Sequence, residues 1–237
     1  MKRENVKWKS PSLGKEMEML IYGERGTPVL IFPSEEGDCY EWEQTGIVDS
    51  LIEQISEGYN QLFCVNSVLE ESLLNKKVDP YVRISRQKQY ENYICDEVIS
   101  QIKKRNKNSH LLTAGANLGA YHALLYGLKH PTDIDKVIAI SGCYDVKPYL
   151  DGFYDDNVYF NNPTDFIPNL NDQKLLKAID AMDIRILTYD NDPQKGSSQR
   201  MSDTLWLKNL EHEFYIWDER VSDPWELVGP MLKEHLF

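Results

Sequence analysis

Short runs of consecutive apolar residues alternate along this chain with segments whose apolar positions recur every three or four residues. The runs at 28–32, 61–66, 136–141, 184–189 and 213–217 predict buried strands, as does the short run just before Gly115. The helical spacing predicts helices over 47–55, 85–104, 173–182, 198–210 and 225–236, with another directly after Gly119. Gly58 is a stop for the first of these, and Lys103, Lys104 and Arg105 suit the C-terminal end of the second. Glu97 is the one charged member of that second helix's apolar face. Residues 15–22 alternate instead, with Met17, Met19 and Ile21 sharing a side, which predicts an antiparallel edge strand. Strands alternating with helices predict a mostly parallel sheet covered on both faces, in a single α/β domain over residues 1–237. Residues 143–171 are rich in Asp, Asn, Tyr and Pro and long for a connection, so they are expected to form a lid-like insertion.

Composition narrows the partners. The chain has 237 residues, 41% hydrophobic and 27% charged, ordinary proportions for a folded domain with a sizeable core. Its formal net charge of −12 argues against nucleic acid and anionic membrane surfaces as partners. The first nine residues are polar, so no signal peptide is expected, and no run reaches the ~18 apolar residues of a membrane span. Cys39, Cys64, Cys95 and Cys143 lie far apart without metal-type spacing and are expected to be reduced thiols in a cytoplasmic protein.

The chemistry concentrates at Gly115-Ala-Asn117-Leu-Gly119, which ends an apolar run and opens an alanine- and leucine-rich helix. This is the layout of a nucleophile elbow, the tight strand-to-helix turn that presents a catalytic side chain, with glycines where side chains would clash. Around it lie Pro28-Val-Leu-Ile-Phe-Pro-Ser34, Phe63-Cys-Val-Asn-Ser67, Arg83-Ile-Ser-Arg86, Ile140-Ser-Gly-Cys-Tyr144-Asp145, Val158-Tyr-Phe-Asn-Asn-Pro163, and Trp217 with Val221 and Trp225. In this order and spacing, from about Lys15 onward, the chain resembles the putative esterase family of α/β-hydrolases (the esterase D-like group).

The resemblance implies an α/β-hydrolase fold and ester cleavage by a serine, a histidine base and an acidic orienter, completed by an oxyanion hole. Position by position, that triad is broken. Asn117 stands in the serine place, and Asp223 in the histidine place. After the strand ending at Tyr189 the family pattern is not matched, leaving Asp190 and Asp192 as candidates for the acid. The resemblance places the oxyanion amides at Leu118 and near Ser34 or Glu35, where the substitution leaves them available. No cofactor is implied.

An amide nitrogen is delocalised and weakly basic, so Asn117 is no ordinary nucleophile. Deamidation to aspartate would supply one, but bulky Leu118 slows that reaction. His122 lies on the helix leaving the elbow, where it is expected to be structural. His110, His130, His212 and His235 are expected to be surface or capping residues. Asp151, Asp155, Asp156, Asp190 and Asp192 are oxygen donors without the spacing of a calcium loop, so no metal site is expected. Glu35, Glu36 and Asp38 crowd the loop mouth and disfavour an anionic ligand, unless Arg83 and Arg86 fold over it. The tryptophans and tyrosines are mostly core.

The favoured reading is a non-hydrolysing homologue that binds a small acyl or carbonyl ligand. The alternatives are an esterase using Ser34, Ser141, Ser197 or Ser198 in a non-standard constellation, and an acidic scaffold or homo-oligomer without ligand.

Overall fold

A computed structural model of the chain describes residues 1–35 and 37–236. Eight strands form one sheet in the order β1-β2-β4-β3-β5-β6-β7-β8. They are β1 (Arg3–Lys9), β2 (Glu16–Tyr22), β3 (Thr27–Phe32), β4 (Asn60–Val65), β5 (Leu112–Ala116), β6 (Lys136–Ile140), β7 (Asp183–Tyr189) and β8 (Glu213–Trp217). The pairings β1–β2 and β2–β4 are antiparallel and the other five parallel.

The expected edge strand is therefore not at the edge. β1 pairs along the whole length of β2, from Arg3 opposite Tyr22 to Lys9 opposite Glu16. β1 escapes a hydropathy reading because only Val6 and Trp8 are apolar and its charged residues face water, a composition that blunts an open edge against aggregation.

Side chains alternate between two cores. From β3, Leu30 and Phe32 join one cluster and Val29 and Ile31 the other; from β4, Phe63 and Val65 oppose Leu62 and Cys64. The second core is covered by the short helices α1 (Glu41–Gln44), α2 (Ile47–Ser50) and α3 (Ile52–Glu57), and by α11 (Trp225–His235). The helix expected over 47–55 is thus two pieces, interrupted at Leu51.

The first core lies under α4 (Pro80–Asn92), α5 (Ile99–Arg105), α6 (Leu118–Lys129) and α10 (Lys195–Leu207). Helices α4 and α5 are continuous through a π-helical turn, Tyr93–Val98. That turn accounts for the charged residue on the apolar face. Glu97 accepts from the Trp8 indole, the Ser10 hydroxyl and the Ser12 amide, while Trp8 stacks on Tyr93.

Residues 143–171 hold a 3-10 turn (Lys147–Tyr149) and helices α7 (Asp156–Phe160) and α8 (Pro163–Asn169). Tyr144, Val146, Leu150, Val158 and Ile167 anchor this segment in the first core. Helix α9 (Gln173–Asp180) then leads into β7. All four cysteines are free thiols. Among the described residues no helix is long and apolar enough to cross a membrane.

Candidate functional site

The parallel strands all end on one side of the sheet, and the segments leaving β3, β5, β6 and β7 meet there. Open α/β sheets bind ligands at this end. Together with the start of α11 the segments enclose a cavity of about 200 Å³. Its polar lining includes Ser34, Glu35, Asn117, Ser141 and Asp192, and its apolar walls include Ala116, Pro193, Trp225 and Val228.

Asn117 sits at the tip of the turn between β5 and α6, with φ 55° and ψ −118°. This conformation costs a non-glycine residue of order 1–3 kcal/mol. The flanking glycines make the turn possible by close backbone approach. A Cβ on Gly115 would fall onto the Gly119 carbonyl, and one on Gly119 onto the Phe32 carbonyl. The clash they avoid is between backbones, rather than with the Asn117 side chain.

The Asn117 amide is held by the loop after β3. Its Nδ2 donates to Glu35 Oε2 at 2.5 Å, while its Oδ1 is buried without a partner. Ser141, following β6, is a second non-glycine residue with positive φ, at 52°. Its hydroxyl is also buried and unpartnered. Two strained residues thus line one cavity, each with an unused polar atom.

The two acid candidates after β7 separate clearly. Asp190 points out to Arg220 and Lys195, whose hydrogen bonds lower its pKa. Asp192 turns inward, 7% exposed, and lines the cavity. Its carboxylate accepts from Thr188 Oγ1 at 2.5 Å and the Gln194 amide at 2.8 Å. Asp223 stays at the surface, where its side chain accepts from the Trp225 amide at the start of α11.

The amide of Leu118 opens α6, where a helix N-terminus favours a partial negative charge. Both donor groups of Ser34, the other expected position, are engaged by one carboxylate. Its amide donates to Glu41 Oε2 at 2.9 Å and its hydroxyl donates to Glu41 Oε1. Glu41 is buried, and desolvation pushes its carboxyl above the usual range despite those two bonds, with Asp38 and Glu35 adding to the rise. Glu35 contributes its carboxylate to Asn117. Glu36 lies outside the described residues.

Among the described residues no histidine lines the cavity. His122 is buried beneath the elbow, with Nε2 2.7 Å from Gln87 Nε2, and desolvation lowers its pKa to about 3. Gln87 has only N–H to offer there, so Nε2 is the acceptor. His110 pairs with Asp135 at the surface. His130 lies between Glu91 and Cys95. His212 and His235 are buried, contrary to the surface role expected of them. His212 meets Ser202 and packs at a tilt against Trp206; His235 meets Arg185 and packs at a tilt against Tyr215.

Arg83 and Arg86 do not fold over the site. Arg83 is spent on Val78 O, Tyr149 O and Asp151, and Arg86 on Leu13 O and Glu71. Asp155 caps α7 through the Val158 amide. Among the described residues no cluster of three or more His, Cys, Asp or Glu is placed to hold a metal ion. Of the other candidate serines, Ser197 accepts from the Tyr144 amide and Ser198 is buried on α10. Trp42 is core, Trp225 forms a cavity wall and Trp206 is exposed.

The same architecture recurs in known proteins. A ferulic acid esterase superposes with a TM-score of 0.78 at 15% identity, over 99% of this chain and 96% of its own. An S-formylglutathione hydrolase from Agrobacterium tumefaciens gives 0.75 at 12% identity, over 99% and 92%. One from Staphylococcus aureus gives 0.69 at 13%, over 98% and 94%. At these identities the likeness shows the α/β-hydrolase fold. No curated protein matches the chain in sequence. The family model described as "Putative esterase" matches residues 10–235, nearly the whole chain, and the chain belongs to that family.

Proposed function

We propose that this chain is a non-hydrolysing member of the esterase family, which uses the elbow cavity to bind a small acyl- or carbonyl-bearing ligand. The observation that carries the reading is Asn117. The residue at the elbow tip is an amide hydrogen-bonded to Glu35, and no described histidine lines the cavity to serve as a base. The serine-type nucleophilic catalysis of this family needs a hydroxyl with a base within about 2.6–3.2 Å. Asp192, the buried one of the two acid candidates, bonds to a threonine and a backbone amide.

Binding is supported by what persists. The strained turns at Asn117 and Ser141 and the close glycine approach still shape a cavity, and the Leu118 amide still opens α6. A ligand carbonyl at the elbow would accept from that amide. Of the two positions expected for the second donor, the Ser34 amide is engaged by Glu41.

The test is release of p-nitrophenol from p-nitrophenyl acetate and butyrate. The wild-type chain is expected to match buffer, and Asn117→Ser is expected to remain inactive for want of a base. Wild-type turnover abolished by Ser34→Ala or Ser141→Ala overturns the reading. Ser34 merits this control because its hydroxyl donates to the buried Glu41 carboxylate. This is the arrangement that favours the second reading, a serine esterase of non-standard constellation. Covalent labelling of Ser34 by a fluorophosphonate probe would establish it.

A further inference from the structure

We propose that the ligand of the elbow cavity carries a protonated amine, seated among Asn117, Ser141 and Asp192. This rests on the binding reading and adds the chemical class of the ligand. Three observations carry it.

The first is charge. Glu35 and Asp192 both line the cavity, and no described Lys, Arg or His does. Neighbouring cations are engaged elsewhere: Lys195 and Arg220 on Asp190, Arg83 on Asp151, Arg86 on Glu71. A carboxylate or phosphate entering here meets like charge at short range and gains no cation.

The second is the state of Asp192. Its two hydrogen bonds come from neutral donors, a hydroxyl and a backbone amide. A carboxylate has about four acceptor positions, so lone pairs remain for a further donor. A buried carboxylate with only neutral partners gains most from a cation.

The third is independent of charge. Ser141, 9% exposed, has an unpartnered hydroxyl, and the Asn117 carbonyl oxygen beside the same cavity is unpartnered as well. Buried polar atoms are rarely left unsatisfied. Both can accept, and Asn117 Oδ1 can only accept. The cavity therefore offers acceptors from Asn117, Ser141 and Asp192. An ammonium group has three donors, no acceptor and a positive charge. The apolar walls, Ala116, Pro193, Trp225 and Val228, suit a short aliphatic or acyl portion. At about 200 Å³ the space lies below the ~300–1,000 Å³ typical of drug-sized ligands, so the occupant is small.

The experiment compares n-butylamine, butyramide and sodium butyrate at pH 7.5 and matched ionic strength. It reads the melting temperature and the Trp225 indole NMR signal of the full chain. The expected result is a saturable rise in melting temperature and a shift of the Trp225 signal with the amine alone. Asp192→Asn is expected to weaken amine binding at least tenfold. Ser141→Ala is expected to weaken it less, and surface Asp203→Asn not at all. If butyramide or butyrate binds as well as the amine, the cavity binds ligands and the amine assignment is wrong. If none of the three perturbs Trp225 while p-nitrophenyl butyrate is turned over, the binding reading itself falls. An amine effect that persists in Asp192→Asn and Ser141→Ala overturns the proposed seat.

Discussion

The two ends of α6 treat charge in opposite ways. At its C-terminal end Glu91 is largely buried and fully matched: Lys129 Nζ lies 2.5 Å from one oxygen and His130 Nε2 3.0 Å from the other. His130 and Lys129 hold the Glu91 carboxyl down to about 2 against its desolvation. Cys95 and Glu91 raise the His130 imidazole to about 9. At its N-terminal end the buried Asp192 carboxylate has neutral partners only, and two more buried polar atoms have none. The same helix thus joins a site built for stability to one that leaves favourable interactions unmade. An unmade set on the ligand-binding side of an α/β sheet reads as reserved for something that arrives.

The largest effect should come from the turn that holds the two ends in register. Gly119→Ala, whose Cβ meets the Phe32 carbonyl, should cost about 3 kcal/mol or more, read by urea unfolding. A near-neutral result would mean that the backbone approach at the elbow is slack. Next is the matched end. Glu91→Gln leaves two cations facing a neutral amide and should cost about 2–3 kcal/mol at pH 7.

That loss should also appear in pH titration of the wild-type chain. Glu91 has a depressed pKa, so its contribution is complete above about 4.5 and disappears as pH falls toward 2. His130 has a raised pKa, so its contribution is complete below about 6.5 and disappears as pH rises through about 9. In Glu91→Gln both slopes should flatten. The unmatched end should respond in the other direction. Asp192→Asn should be neutral or stabilising by about 1 kcal/mol in the absence of ligand, because it removes a buried charge that has no cation. A loss as large as that of Glu91→Gln would erase the contrast between the two ends. The smallest effect should be Ser141→Gly, which relieves a positive φ and should stabilise by a few tenths to 1 kcal/mol.

The parallel strands were legible because they are buried on both faces and read as continuous apolar runs, as in Val29–Phe32 and Val137–Ile140. The elbow was legible because a tight turn demands small residues at fixed spacing. β1 was not, since an exposed edge strand carries the composition of a polar tail. Within the site, the sequence placed Asp190 and Asp192 on equal terms. Only the turn after β7 decides that one meets Arg220 and the other Thr188. The capture of the Ser34 amide by Glu41 was equally hidden, because it depends on the loop after β3 folding back over seven residues. The burial of His212 and His235 comes from tertiary neighbours, Ser202 and Arg185, that no local pattern announces.

The π-helical turn Tyr93–Val98 couples two distant parts of the chain. Such a turn is what one extra residue inside an α-helix produces, and each added residue rotates the remainder of the helix by about 100°. Here the turn presents Tyr93 and Glu97 to the N-terminal strand and the turn after it, where they hold Trp8, Ser10 and Ser12. Deleting one residue from the turn would swing Glu97 away from these partners and free the outermost strand of an anchor that lies nearly ninety residues away in sequence.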